Sequence, residues 1–372
     1  MTSSGFNITR PQESLLRACT GRGPAAIAAW REWKDLVDME RLGPGTTCLF
    51  PLLHSNLRKQ GFEESALPGK LKGVYRQAWS RNEVLFHAVR GALNALHAAG
   101  IEVMLIKGPA LAVAGYKDAG LRPMKNFAVL VPESRLASTI QTLTTAGWVS
   151  RFLHLDRALP IRHAAEFLDA DGHRLDLHWR FLLERPGINP WDHAIPHDFD
   201  GLPVRIPLPA DQLLQVCVYG PLAGEPPRLR WAADAWTIIH AAVPPLDWNA
   251  LVDSAQQHEL VALLRDALLF LKQTLDADIP DAALARLASI PISPADRHEH
   301  VITTRLQRRF GLLPVWWHSY RRLKRAGGPE MNGLGFGRYL QYTLDVPRLW
   351  RLPFTMAGVA LRRLRDDRQF HE

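Results

Sequence analysis

Long hydrophobic runs are missing from this sequence. No stretch of about 18 uncharged apolar residues, the length that a membrane-spanning helix requires, occurs anywhere in the 372 residues. The N-terminal segment MTSSGFNITRPQES also lacks the apolar stretch of a secretory signal. We therefore expect a cytoplasmic protein, with any membrane association peripheral. The hydrophobic content of 47% and the charged content of 22% exclude a disordered or collagen-like chain.

Cysteine is scarce as well. Cys19, Cys48 and Cys217 are odd in number, far apart and without CxxC or Cys/His spacing. This pattern excludes a disulfide framework and a zinc site of the usual spacing. We expect buried free thiols.

Acidic residues are few near the C-terminus. From residue 301 onward there are 14 Lys and Arg against 5 Asp and Glu, a net charge of +9, whereas the first 300 residues hold 31 against 32. The overall charge of +8 therefore belongs to the last fifth of the chain. Any partner selected by positive charge is expected to bind there.

Helical periodicity occupies residues 10–95 and returns over residues 209–290. The clearest helix is predicted to begin at Pro68 and to end at Gly100, which follows the positional preferences of these two residues. The later region is predicted to contain separate helices, one of them spanning DWNALVDSAQQHELVALLRDALLFLKQTL.

Strand-like and helical patterns alternate between these regions. Strands are predicted for IEVMLIKG, FAVLV, RFLHL and a hairpin that turns at Asp171-Gly172, and ESRLASTIQTLTTAGW is predicted to be a helix. The order indicates an α/β or α+β unit with a mixed sheet, and the Pro-rich segment GLPVRIPLP is interpreted as its boundary. The predicted division is 1–95 helical, 96–204 mixed core, 205–300 helical, and 301–372 a basic, aromatic-rich tail.

The central region carries ordered local patterns: IEVMLIKGPAL, then GLRPMKNFAVLVP, then HAAEFLDADGHRLDLHW, followed downstream by RLRWAADAW and DWNALVDSAQQ. Over roughly residues 65–280 the chain resembles the uncharacterised bacterial nucleotidyltransferases, a branch of the polymerase-β-like superfamily. The resemblance implies a nucleotidyltransferase-like mixed sheet core with helical domains before and after it. It also implies transfer of a nucleoside monophosphate from a magnesium-bound nucleoside triphosphate to an unknown acceptor.

The metal-binding pattern of that family is altered here. Members carry two aspartates as DxD on the second strand and a third carboxylate on a later strand. The matching positions are Asn126, Ala128 and Asp176, so one carboxylate remains of three. Because magnesium prefers carboxylate oxygens, we expect metal-dependent transfer to be reduced or lost. Asp118, Asp169 or Asp171 is a candidate substitute, and deliberate inactivation of an active parent would produce the same pattern.

Other residues acquire expected roles from the resemblance. Lys107 and Gly108 follow the first strand, where the family binds the triphosphate; the alternative is a strand-end turn with a solvated lysine. Arg122 is expected to contact phosphate or to form a salt bridge. The candidates for the acceptor side are His178, Arg230 and Asp234, although an Arg230–Asp234 pair on a helix surface would explain the last two equally well.

The tail combines the arginine clusters 305–309, 321–325 and 362–365 with several Trp, Tyr and Phe residues. Such a mixture suits docking on a membrane surface or on an acidic partner, and nucleic acid is the less favoured ligand because the tail lacks a recognisable binding motif. The alternative is that these aromatic residues pack onto the body and leave the arginines solvated. For the whole chain, the competing hypotheses are an enzyme of reduced activity and a non-catalytic nucleotide- or partner-binding protein that docks through this tail.

Overall fold

A seven-stranded mixed sheet and a large set of helices make up the fold. The structure is a computed structural model that describes residues 6, 8–62, 67–182, 189–221, 229–302, 312–326 and 333–359. The helices before the sheet are α1 (Arg10–Thr20), α2 (Gly23–Leu36), α3 (Pro44–Thr47), α4 (Phe50–Lys59) and α5 (Gly69–Ala98). The predicted long helix between Pro68 and Gly100 is thus confirmed.

The central region alternates between strands and short helices. Its strands are β1 (Met104–Leu105), β2 (Phe127–Leu130), β3 (Val149–Ser150), β4 (Ala164–Leu168), β5 (Arg174–His178), β6 (Ile195–Phe199) and β7 (Leu202–Ile206). Its helices are α6 (Lys107–Ala110), a π-helical turn (Leu111–Tyr116), α7 (Leu136–Thr145) and α8 (Leu155–Ala158), with 3-10 turns at Glu133–Arg135, Leu159–Ile161 and Pro190–His193. The strand order in the sheet is β3-β4-β5-β2-β1-β7-β6.

The helices after the sheet are α9 (Pro209–Tyr219), α10 (Arg230–Ala241), α11 (Trp248–Gln257), α12 (Val261–Leu275), α13 (Asp281–Ser289) and α14 (Pro294–Val301). The segment predicted as one helix over 247–275 is therefore two. The break contains Glu259 at φ 55°, a left-handed conformation that a helix interior cannot contain. The tail contributes α15 (Leu313–Ala326), α16 (Phe336–Thr343) and a 3-10 turn (Leu349–Arg351).

Alternation along β2 directs its side chains to two different cores. Phe127 and Val129 pack with α5 and α7 on one face of the sheet, whereas Ala128 and Leu130 belong to the core on the other face. Strand β5 follows the same rule, because Leu175 and Leu177 point with Phe127 into the first core. The side chains of Asp176 and His178, which alternate with these leucines, therefore point to the opposite face of the sheet.

The N-terminal and C-terminal helices share one hydrophobic core. Leu15 and Leu16 of α1 belong to the same buried cluster as Leu264 and Leu268 of α12, and α1 contacts both α10 and α12. Sequence periodicity predicts one helical region before the strands and one after them. In the structure the two regions share a hydrophobic core.

The Pro-rich segment interpreted as a boundary contains β7, an interior strand that pairs with β1 at Arg205 and with β6 along its length. Strand β7 ends at Ile206 and α9 begins at Pro209, so the change from the sheet to the following helices falls inside this segment. Pro203 lies outside the β1 pairing, so its missing N–H costs the sheet no hydrogen bond to β1. The strand predicted around RFLHL lies just before that run, as β3. The run itself leaves the sheet, because the N–H groups of Leu153 and His154 donate to the Asp345 carboxylate and α8 begins at Leu155.

The cysteines are free, as predicted: Cys19 and Cys217 are buried, and Cys48 is partly buried. Burial raises the pKa of the Cys19 and Cys217 thiols far above the ordinary value, so both behave as inert core side chains. No helix in the described part of the chain has an apolar stretch long enough to cross a bilayer.

Candidate functional site

Strands β2 and β5 bring the altered metal positions together. The two strands are parallel neighbours, and Ala128 lies opposite Asp176 in their register. Asn126 lies just before β2, and its side-chain amide Nδ2 donates a short hydrogen bond to Asp176 Oδ2. The amide must present its N–H because its carbonyl oxygen would face a carboxylate oxygen. Asn126 therefore acts as a hydrogen-bond donor to the remaining carboxylate.

Lys107 approaches the same carboxylate from the end of β1. It is the first residue of α6 and has φ 54°, a left-handed conformation that a lysine rarely adopts. Its ammonium Nζ is 3.4 Å from His178 Nε2. Burial lowers the pKa of Lys107, and the charge of Asp176 opposes that shift. Lysine and aspartate thus partly neutralise each other at the edge of the core.

His178 lies two residues beyond Asp176 and is 1% exposed. Burial, followed by the charge of Lys107, lowers its pKa well below the ordinary value, so the ring is neutral at pH 7. Its Nε2 accepts from Lys107, and its buried Nδ1 has no hydrogen-bond partner among the residues that the structure describes. The His163 ring lies 5.4 Å from it, and burial together with Lys107 lowers the pKa of His163 to about 3. Two neutral imidazoles therefore line this end of the sheet.

This set of side chains does not fit a pair of magnesium ions. Magnesium needs oxygen ligands, and the cation is held in most proteins by carboxylates. Ala128 offers no ligand atom, Asn126 presents its N–H, and Lys107 adds a positive charge beside Asp176. Burial raises the pKa of Asp176, although Lys107 and Asn126 oppose the change, so the carboxylate already lies in an unfavourable environment for its charge.

Glu166 is a neighbouring carboxylate that the motif comparison misses. It lies on β4 directly opposite Asp176 in the antiparallel register, so both side chains share one face of the sheet. Its charge contributes to the raised pKa of Asp176, but its Oε1 also accepts from Arg151 at 2.7 Å. A two-residue turn at Asp171-Gly172 would pair residue 166 with residue 177. The observed loop spans 169–173, which shifts the register by one residue and places Glu166 opposite Asp176.

The three substitute carboxylates weighed from the sequence lie in turns. Asp118 accepts from Tyr75 Oη at 3.1 Å and from the Gly120 N–H at 2.8 Å. Asp169 and Asp171 lie in the β4–β5 hairpin loop, where Asp169 accepts the N–H groups of both Asp171 and His173. These contacts stabilise the turns, and Glu166 is the carboxylate that the sheet register places beside Asp176.

Arg122 is bound by Asp234 inside the protein. Its Nε and Nη2 donate to the two carboxylate oxygens at 3.0 and 2.8 Å, and the side chains are 13% and 6% exposed. Tyr116 Oη donates to the same carboxylate at 2.9 Å. Burial lowers the pKa of Arg122, but the Asp234 carboxylate outweighs it and the net shift is upward. Arg122 was expected either to contact phosphate or to form a salt bridge, and in the structure it forms a salt bridge.

The loop that carries Arg122 is fixed by further long-range hydrogen bonds. Asn82 on α5 is fully buried; its amide donates to the carbonyls of Ala119 and Arg122, and its Oδ1 accepts from the Met124 N–H. Arg230 on α10 donates to the Pro123 carbonyl. Arg230 and Asp234 therefore both contact this loop, and the surface pair suggested by their spacing does not form.

Gly108 allows Arg122 to pack closely against α6. A Cβ at residue 108 would lie 2.6 Å from Arg122 Nη1 and 3.0 Å from Met124 Sδ. The glycine is thus required by a neighbouring side chain of the protein itself. The expected candidates fall into two groups: Asn126, Ala128, Lys107 and His178 surround Asp176, whereas Gly108, Arg122, Arg230 and Asp234 form the adjoining buried network.

Comparison with known proteins gives one family. The model of a family described as uncharacterised nucleotidyltransferase matches residues 32–276, about two thirds of the chain. The match begins in α2, includes the whole sheet and ends after α12. A search of the curated proteins finds no match.

Proposed function

Because the chain belongs to the uncharacterised nucleotidyltransferase family, we propose that it retains the family fold but has lost magnesium-dependent nucleotidyl transfer. The observation that supports this is the neutralisation of Asp176. Its carboxylate accepts from the Asn126 amide and lies within the field of Lys107, while Ala128 leaves the third position without a ligand. A triphosphate needs divalent cations to offset its charge during transfer, and this arrangement supplies one carboxylate to hold them.

The function that this site supports is non-catalytic binding of a nucleotide or a partner. Lys107 is the cation available beside Asp176 for a phosphate group, as the family resemblance suggests. A residual transferase is the second candidate, favoured by the position of Glu166, which would give a second carboxylate if Arg151 released it. The acceptor in that case is open.

The test compares the chain with the double variant Asn126→Asp/Ala128→Asp. Pyrophosphate release is measured with magnesium and each of the common nucleoside triphosphates, and magnesium binding is measured by calorimetry. We expect no turnover from the unmodified chain, and magnesium binding together with turnover from the double variant, because three carboxylates then converge. Asp176→Ala in the double variant should abolish both gains.

Asn94→Asp is the control for the Asn126→Asp part of the change, since it makes the same substitution at an exposed position of α5. It should leave magnesium binding unchanged. Magnesium-dependent turnover by the unmodified chain that is lost in Asp176→Ala would overturn the proposal. If Glu166→Gln also abolished this turnover, the residual transferase would be established instead.

A further inference from the structure

The described tail is attached firmly to the sheet domain. Tyr320, Tyr339 and Leu340 form a small buried cluster with Ile161, which lies just before β4. The Asp345 carboxylate accepts from the Leu153 N–H at 2.9 Å, and Arg162 Nη1 donates to the Thr343 carbonyl at 2.8 Å. Part of the aromatic content therefore packs onto the body, which is one of the two expectations from the sequence. Binding of the tail to a surface would therefore also hold the sheet domain at that surface.

A second set of tail side chains is left in solvent. Within six consecutive residues, Leu349 is 49% exposed, Trp350 is 60% exposed and Phe354 is 72% exposed. Leu352, in the middle of the same segment, is 9% exposed and belongs to the buried cluster. The segment is thus held by one apolar side chain and presents three others outward. Exposed apolar groups this close together indicate an interaction surface.

Positive charge surrounds these apolar side chains. Arg348 and Arg351 flank Leu349 and Trp350 and are exposed, and the Arg351 guanidinium lies 5.1 Å from the centre of the Trp350 ring. Along α15, which joins the same cluster, Arg321, Lys324 and Arg325 are exposed. The net charge of +9 from residue 301 onward makes this the basic end of an otherwise neutral chain.

We propose that residues 348–354 form a docking surface for an anionic lipid bilayer. The apolar side chains enter the interface between headgroups and acyl chains, and the arginines bind the negative headgroups. The combination decides between ligand classes. Nucleic acid would use the rings of Trp350 and Phe354 for stacking but would gain little from Leu349. An acidic protein surface would use the arginines but not the outward apolar side chains. A bilayer uses all of them.

The test is sedimentation of the full chain with vesicles of phosphatidylcholine alone and of phosphatidylcholine mixed with phosphatidylserine. We expect binding to the mixed vesicles that weakens as salt rises, and much weaker binding to the neutral ones. Trp350→Ala and Phe354→Ala should each reduce the partition coefficient on the order of tenfold, because each removes a large inserted side chain. Arg348→Gln/Arg351→Gln should weaken the preference for phosphatidylserine, with the remaining basic residues of the tail retaining part of it.

Trp79→Ala is the matched control. Trp79 is 49% exposed on α5 between the exposed Arg76 and Arg81, so it has the same chemistry away from the tail. The Trp79→Ala variant should bind vesicles as strongly as the unmodified chain. Equal loss of binding in Trp79→Ala and Trp350→Ala would overturn the assignment of the surface. Absence of vesicle binding would overturn the membrane proposal, and retention on a polyglutamate resin in that case would identify an acidic protein as the partner.

Discussion

The buried pair between Arg122 and Asp234 allows a quantitative prediction. Replacement of Asp234 by Asn keeps the size of the side chain and one acceptor oxygen but removes the negative charge. The Arg122 guanidinium then remains 13% exposed with its charge uncompensated. Breaking a buried ion pair by removal of one partner costs about 3–5 kcal/mol. Because asparagine still accepts one hydrogen bond, we expect the free energy of unfolding to fall by about 3 kcal/mol.

The measurement is urea unfolding followed by circular dichroism, with a second pair as the control. Arg286 and Asp253 form an ion pair of the same residue types whose side chains are 37% and 61% exposed. Asp253→Asn should change the free energy of unfolding by less than about 1 kcal/mol, because water screens that pair. The comparison separates burial from residue type.

A double-mutant cycle completes the argument. The cycle consists of Arg122→Met, Asp234→Leu and their combination. The combination removes both charges and takes away the Asp234 acceptor of Tyr116, which should cost about 1 kcal/mol. The double variant is therefore expected to be more stable than either single variant. A loss of less than about 1 kcal/mol in Asp234→Asn, or additive losses in the cycle, would refute the claim that each charge is buried against the other.

Two further predictions concern neighbouring positions. Gly108→Ala should lower the free energy of unfolding by about 1–3 kcal/mol, because the added methyl group meets a guanidinium that Asp234 holds in place; urea unfolding checks this, and an unchanged value would contradict the close packing. Burial raises the pKa of Asp211 from 3.8 to about 6. Between these pH values the folded state binds more protons than the unfolded state, so the free energy of unfolding falls as pH rises through this range. Asp211→Asn should therefore stabilise the chain by about 2 kcal/mol at pH 7 and have no effect below about pH 4; an equal effect at both pH values would contradict this reasoning.

Local patterns predicted the elements that short-range physics determines. The helix between Pro68 and Gly100 and the hairpin at Asp171-Gly172 both depend on residues a few positions apart, and both are present. The placement of Asn126 beside Asp176 follows from the same patterns once β2 and β5 are recognised as neighbours. The family resemblance supplied that neighbourhood.

The remaining features depend on contacts between distant residues. Asp234 was expected either near the acceptor or paired with Arg230, and its partner is 112 positions away in sequence. The role of Asn82 has no local signature, because an asparagine in a helix is usually solvated and this one bonds to a loop about 40 residues later. The place of β7 in the sheet is non-local in the same way, since it depends on pairing with β1.

The hydrophobic core that α1 shares with α10 and α12 has a consequence for synthesis. The N-terminal helix α1 contacts α10 and α12, which lie more than 200 residues later in the sequence. At ribosomal rates of about 5–20 residues per second, α1 is complete on the order of tens of seconds before α12 emerges. During that interval α1 has α2 and α4 as neighbours but not yet α10 and α12. Helix α1 is thus made early and fully buried late, and the nascent protein offers chaperones an apolar surface until α10 and α12 arrive.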